Sequence, residues 1–192
     1  MVKKIVETLE WEAIVKDKDG KIIARRKGKG DSYLKNYMVL HFALIGLGGE
    51  NAVDTGGNTV AINKSDCSDV HVDAGEGVDE YGIVVGTGTD ANLPGMYNLQ
   101  SPISHGDGDN LLHYYGHSLS APTVSDSNVL YEISRDFKNN GSVNITIYEA
   151  GLIVLIGTAT YVLIGRQVIS GGIAVPAGAT LTFKFKPKIT VT

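Results

Sequence analysis

The sequence contains a single cysteine, Cys67, among 192 residues, so no disulfide can form within the chain. Only Lys64 is close enough in sequence to lower the pKa of this thiol, and we interpret Cys67 as incidental rather than catalytic. Proline is also scarce, with 5 residues, whereas glycine is abundant, with 24. Many glycines and few prolines are typical of short strands separated by turns and bulges.

The sequence also lacks an excess of basic residues and a long apolar run. Its 17 Lys and Arg against 21 Asp and Glu give a net charge of −4, which argues against a general nucleic-acid-binding protein. Its two apolar runs, residues 37–49 and 150–165, are shorter than the stretch of about 20 residues that crosses a bilayer. The first residues have no apolar segment typical of a signal peptide. We therefore expect neither direct nucleic-acid binding nor membrane association.

The sequence does contain a regular alternation of apolar and polar residues, most clearly in residues 128–192. Period-two alternation is what a half-buried strand requires, since successive side chains point to opposite faces. Asp19-Gly20 separates two such runs near the start and predicts a hairpin, and Asn140-Gly141 predicts a second one. The pattern predicts a mainly β protein, a β-sandwich that is jelly-roll-like or Ig-like and begins with an N-terminal β-hairpin.

Two arginines stand in otherwise apolar surroundings in this C-terminal part. Arg166 is the only charge in its run, and we expect Glu149 or Asp136 to pair with it. Arg135 and Glu149 lie at corresponding distances on either side of the Asn140-Gly141 turn, so a hairpin there would bring them together.

Residues 33–47 have apolar side chains at helical spacing, and they predict one α-helix. Asp31 or Ser32 can cap its start, and Gly48-Gly49 can end it. Because almost no polar face remains, we predict a buried helix, covered by its own domain or by a neighbouring subunit. We expect one β-rich domain over residues 1–192. Its parts are the hairpin and helix (1–49), a loop-rich middle (50–127) and a C-terminal sheet segment (128–192).

One glycine-rich loop has the side chains of a cation site. Asp107, Asp109 and Asn110 supply oxygens, the ligands that Ca²⁺ prefers. His113 and His117 follow, and on a strand they would share a face about 13 Å apart, too far for one metal ion. Three interpretations stay open, namely a polar loop with half-buried histidines, a structural Ca²⁺ site and a transition-metal site. We expect no other cofactor.

Catalytic motifs are missing from the sequence. Residues 86–91 match the dinucleotide-binding pattern G-x-G-x-x-A, but Pro94-Gly95 follows where a helix would have to begin. The acidic residues between 66 and 80 carry no spacing that specifies a pair of catalytic carboxylates. We therefore predict that the protein is not an enzyme.

Several segments resemble virion structural proteins from tailed phages and related prokaryotic viruses. The C-terminal part is similar to the closing β-segment of these proteins, and the N-terminal part resembles their opening hairpin and helix. The segments that carry the resemblance are residues 135–141, 143–152, 163–169 and 175–185, together with Trp11, Asp19-Gly20 and residues 32–37.

The resemblance implies a viral structural protein that self-assembles into a capsid, decoration or tail component. Its expected partners are further copies of itself and other virion proteins, and its expected location is the virion, assembled in the host cytoplasm. A second hypothesis comes from another class, an extracellular filament-forming module or a β-sandwich module that binds Ca²⁺ or glycans.

Overall fold

The structure, a computed structural model, describes residues 4–30 and 33–192. Antiparallel strands dominate it, which confirms the prediction of a mainly β protein. The strands are β1 (Ile5–Lys16), β2 (Ile22–Lys29), β3 (Glu50–Val53), β4 (Thr59–Ile62), β5 (Val70–His71), β6 (Gly82–Gly86), β7 (His113–Leu119), β8 (Thr123–Ser125), β9 (Asn128–Leu130), β10 (Ile133–Lys138), β11 (Ile145–Ile156), β12 (Thr160–Val175) and β13 (Thr180–Val191). The α-helix α1 (Lys35–Phe42) continues into a π-helical turn (Ala43–Leu47), and a 3₁₀ turn covers Asp66–Asp69.

The first sheet has the strand order β2-β1-β13-β10-β7, and all its pairs are antiparallel. β13 pairs with β1 over its whole length on one side. On its other side it pairs first with β10 and then with β9, to which β8 adds a short outer strand. The β1–β2 hairpin is confirmed, with Gly20 at a φ of +81° and the Asp17 carboxylate accepting from two turn amides.

The second sheet is built on β11, which pairs with β12 on one side and with β5 and β6 on the other. β11 and β12 are the two apolar strands joined by a tight turn that residues 150–165 predict. β3 and β4 form a separate small hairpin beside α1. Because β11 is central, nearly all of its side chains are buried, as expected of a strand covered on both faces.

The two sheets pack face to face as a β-sandwich around one hydrophobic core. On the first sheet, alternate residues of β1 and β13 point inward, and Trp11 stacks on Phe183 with ring centroids 5.9 Å apart. Ile147 and Leu152 are among the residues that β11 contributes to the same core. The period-two pattern of the sequence therefore marks the inner face of the first sheet correctly.

The predicted hairpin at Asn140-Gly141 is wrong. The preceding strand, β10, belongs to the first sheet, whereas β11 begins the second sheet, so the chain crosses the sandwich here. The fully buried Asn139 amide donates to the carbonyls of Val143 (2.8 Å) and Val175 (2.9 Å) and so fastens the crossing to the second sheet. Asn-Gly favours a local turn, but the strands that follow select their partners by burial.

The excursion of residues 87–102 is held against the second sheet by a buried ion pair. Glu149 and Arg166 are both fully buried, and Nε and Nη2 of Arg166 lie 2.8 Å from Oε2 of Glu149. The pairing predicted for Arg166 with Glu149 is confirmed, whereas Arg135 lies elsewhere. The Glu149 carboxylate also accepts from three backbone amides, those of Gly88, Gln100 and Ser101.

The same excursion approaches the sheet closely at Gly151. A Cβ on this glycine would lie 2.3 Å from Cδ1 of Leu99, so a larger residue would push the excursion away. The carbonyl of Asp90 accepts from Arg166 as well, at 3.0 Å. The ion pair thus provides hydrogen-bond partners for irregular backbone that is not paired in a sheet.

We expect the Arg166→Met variant to lose about 3–5 kcal/mol of unfolding free energy, because Glu149 would remain buried without its cation. Urea denaturation measures this loss. The double variant Glu149→Gln/Arg166→Met removes both charges and should regain part of it. A loss below about 1 kcal/mol in the single variant, the size of an ordinary substitution, would contradict this account.

Candidate functional site

The helix α1 is fixed to the sandwich at its start. The backbone amide of Leu34 donates to the carbonyl of Ile164 at 2.8 Å. The buried Asn36 amide donates to the carbonyls of Val53 (2.9 Å) and Leu163 (3.2 Å) and accepts from the amide of Val53. Leu34 stands at the N-cap position without a side-chain cap, and the predicted caps Asp31 and Ser32 lie outside the described residues.

The α-helix is shorter than predicted and is covered on one face only. Gly46, with a φ of +95°, interrupts the helical path before Gly48-Gly49 is reached. Val39 and Leu40 are buried against the sandwich. The apolar side chains of the opposite face remain exposed, so the predicted burial of the whole helix does not occur within one copy of the chain.

The exposed face is a continuous apolar stripe, which we call the outer stripe. It consists of Met38 and Phe42, which are four residues apart on α1 and therefore neighbours on its surface, and of Ile45 in the π-helical turn that follows. Met38 is 61% exposed, Phe42 37% and Ile45 67%. Contiguous exposed apolar surface of this kind is typical of interaction sites.

An apolar groove of about 730 Å³ runs beside the outer stripe. Its walls are the helix on one side and the end of the first sheet with β5 on the other. The apolar residues that line it include Leu40, Leu44, Val70, Val72, Leu119 and Ile133. Cys67 also faces the groove, and burial, with a smaller effect of the Asp66 carboxylate, raises the pKa of its thiol. The thiol is therefore held in its protonated form, which agrees with its interpretation as incidental.

The predicted cation loop uses its carboxylates to hold the crossing between the sheets. Asp107 Oδ1 accepts from Asn140 Nδ2 (2.7 Å) and lies 3.0 Å from His113 Nδ1. Asp109 accepts from the Ser142 amide (2.6 Å) and hydroxyl (3.0 Å). These hydrogen bonds lower the pKa of both carboxyls.

Asn110, the third residue of the predicted site, adopts a left-handed φ of 62°. Within residues 4–30 and 33–192, no group of three or more His, Cys, Asp or Glu side chains is arranged to hold a metal ion. A site of backbone and amide oxygens would not form such a group, so Ca²⁺ at Asp107, Asp109 and Asn110 stays a prediction.

The two histidines predicted to share a face lie on opposite faces of the first sheet. His117 is paired with Arg135, and Tyr114 with Phe137, so β7 has one extra residue between them. This bulge turns His117 inward, while His113 stays near the surface, 2.7 Å from Glu76 Oε1.

Arg135 and His117 anchor the segment of residues 74–83, and the sequence analysis missed this role. All five hydrogen bonds of the Arg135 guanidinium go to backbone carbonyls, four of which belong to residues 75–83. His117 Nε2 accepts from the Ile83 amide at 2.7 Å, and Nδ1 lies 3.0 Å from the carbonyl of Ala74. Alternation places Arg135 on the inward face of β10, and that was the available signal.

Burial, together with the nearby Arg135 charge, lowers the pKa of His117 to about 4 against the opposing effects of the hydrogen bond to the Ala74 carbonyl and of Asp73. The neutral imidazole is the form that both hydrogen bonds require, with the proton on Nδ1. Burial also lowers the pKa of Arg135 to about 10, which leaves it charged at neutral pH.

The comparisons with known proteins give no relative on which an assignment can rest. No family model matches the chain, and neither a curated protein nor a solved structure is similar to it. In the described part of the chain, none of the helices has the length and apolar composition needed to cross a bilayer.

We expect unfolding free energy to fall as the pH drops from about 6.5 towards 4, because the unfolded chain then takes up a proton that folded His117 refuses. This difference between the folded and unfolded pKa of His117 corresponds to at most about 3.4 kcal/mol of unfolding free energy. The variant His117→Gln keeps a donor and an acceptor without titrating, and its urea stability should lack this part of the slope. Equal slopes in both proteins would contradict the assignment.

His113 should act in the opposite sense. Glu76 and Asp107 raise the pKa of His113. The unfolding free energy that His113 contributes is therefore fully present below its pKa in the unfolded chain, and it is lost as the pH rises through its pKa in the folded chain.

The cation prediction is tested on the melting temperature with Ca²⁺ and with a chelator. If Ca²⁺ binds only the folded chain, it raises the melting temperature of the wild type, and Asp109→Ala abolishes that response. If Asp109 serves only as the acceptor for Ser142, the variant melts lower than the wild type by the same amount in both conditions. The second result would remove the cation from the loop.

Proposed function

We propose that this protein is a structural subunit that self-assembles through the outer stripe and the groove beside it. The observation that carries the proposal is the apolar face of α1, which is fixed in place by Asn36 and Leu34 yet left uncovered. A helix that is apolar on nearly every side is stable in water only when something covers it.

A second copy of the chain suits this surface because the stripe borders the groove, since His41 and Leu44, which line the groove, are chain neighbours of Phe42 and Ile45. A two-fold axis between two copies would place the stripe of each against the groove of the other, as an isologous contact requires. The groove offers apolar walls such as Leu44 and Leu119, and the stripe offers Met38 and Ile45 to fill it.

The proposal extends to the virion, as a capsid, decoration or tail component that also contacts other virion proteins. The support is the resemblance carried by residues 135–141, 143–152, 163–169 and 175–185, together with Trp11, Asp19-Gly20 and residues 32–37. The role needs many identical copies held by repeated contacts, and the outer stripe is a surface for one such contact. The proposal assigns the protein no catalytic step.

The variant Met38→Gln/Ile45→Gln tests the stripe. Both side chains are mostly exposed, so the fold should keep its stability within about 0.5 kcal/mol. We expect the wild type to sediment as a dimer or a larger species, and the variant to sediment as a monomer. Leu93→Gln is the matched control, since Leu93 is exposed to the same degree (62%) and belongs to neither the outer stripe nor the groove.

Oligomers of the same size in the stripe variant and in Leu93→Gln would rule out the stripe as the contact. Electron microscopy of the concentrated wild type tests the wider role. Shells, tubes or rings would support assembly, whereas a wild type that stays monomeric at every concentration would contradict it.

A further inference from the structure

The first sheet carries opposite charges at its two edges. At one edge is β2, whose charged residues are all basic, and we call Arg25, Arg26, Lys27 and Lys29 the basic edge. At the other edge is β7, along which the chain from Ala74 to Gly77 runs. The His117 amide donates to the Ala74 carbonyl, and the Gly77 amide donates to the Tyr114 carbonyl.

Residues 66–80, which include this segment, contain six acidic side chains and no Lys or Arg, and we call them the acidic segment. Asp73 and Glu80 are exposed, and both raise the pKa of Tyr81 after the larger effect of burial. Both carboxylates therefore lie near Tyr81. Four steps of about 4.8 Å separate β2 from β7, and residues 74–77 lie one step further out, so the two charged regions lie roughly 24 Å apart.

β2 is also an open edge of this sheet, and the short β8, which pairs only with β9 among the described residues, is another. In the part of the chain that the structure describes, β2 pairs with β1 and with no other strand. Arg25 is bound to Glu12, and Arg26 donates to the carbonyl of Ser170. Lys27 and Lys29 are exposed, and neither ion-pairs with a carboxylate among the described residues.

The edge at β7 is closed. The acidic segment occupies the hydrogen-bonding groups of β7 at Tyr114 and His117, and the buried Arg135 holds that segment in place. A neighbour that approaches this edge therefore meets fixed negative charge instead of unpaired backbone.

We propose that the basic edge of one copy docks on the acidic segment of a second copy, which joins the chains head to tail. This inference rests on the self-assembly proposed above and adds a second, electrostatic contact to it. Two different surfaces that meet in this way form a heterologous contact, which generates rings or filaments. A stripe contact alone would end at a dimer.

The protein's own acidic segment is the partner that the structure offers for the basic edge. Lysines on an open edge also hinder unwanted strand pairing, and that protective role needs no partner. Nucleic acid is the other polyanion that such an edge would attract. The experiment separates these three roles.

The test uses charge reversal in the full chain, followed by sedimentation at about 0.01 M and about 1 M salt, where screening lengths are roughly 30 and 3 Å. One variant is Lys27→Glu/Lys29→Glu, and the other is Glu76→Lys/Glu80→Lys, which spares Asp73 because Asp73 also lines the groove. The first takes the basic edge from +4 to 0 and the second takes the acidic segment from −6 to −2, so the association seen in low salt should weaken roughly tenfold or more in each. An equimolar mixture joins the unaltered basic edge of one variant to the unaltered acidic segment of the other and should recover that association.

The control Lys18→Glu/Lys138→Glu changes the net charge by the same amount as Lys27→Glu/Lys29→Glu, outside the basic edge, the acidic segment and the outer stripe, and should behave as the wild type. A mixture that stays dispersed would overturn the proposal. Unchanged self-association of Lys27→Glu/Lys29→Glu would also overturn it. If that variant no longer binds a DNA oligonucleotide, the basic edge binds nucleic acid. If its DNA binding is unaltered, the lysines protect the edge from strand pairing.

Different results would contradict the stripe contact and the contact of the basic edge. A wild type that is monomeric in high salt and associates in low salt would overturn the stripe contact alone. A dimer that ignores salt would overturn the contact of the basic edge alone.

Discussion

Two buried guanidinium groups hold the irregular middle of this protein against its sheets. Loops that lie on a core need hydrogen-bond partners for their backbone amides and carbonyls, and the middle of the chain has few paired strands that supply them. Arg135 supplies donors to the carbonyls of residues 75–83. Arg166, with Glu149, does the same for residues 87–101 from the other sheet. Both groups are buried, so their hydrogen bonds are made without competition from water.

Much of the sandwich could be predicted from the sequence because its strands alternate and Asp19-Gly20 permits only a tight turn. The crossing at Asn140-Gly141 could not, because a turn motif is local whereas the choice of sheet depends on strands far away in sequence. The inward position of His117 escaped prediction for a related reason. One extra residue in β7 reverses the face of everything after it, and no residue type announces that bulge.

The candidate surface was predicted in part. Helical spacing correctly predicted an apolar helix. The helix is apolar on nearly every side, however, and periodicity does not say which side the domain covers and which stays exposed. The side is decided by Asn36, whose amide reaches Val53 and Leu163 and so sets the rotation of the helix. The loop of Asp107 and Asp109 shows the converse. Carboxylates on a flexible loop suggest a cation, and here they also brace a neighbouring segment.

The position of β13 has a consequence for the order in which the fold is completed. This strand lies at the centre of the first sheet, yet it is synthesised after the other strands that the structure describes. Until it emerges from the ribosome, the β1–β2 hairpin has no sheet to join, and β10 lacks the strand with which Phe137 pairs. Contacts between residues so distant in sequence form slowly. The nascent chain must therefore keep a long hairpin unpaired, and a chain that ends before Thr180 lacks the strand that unites its first sheet.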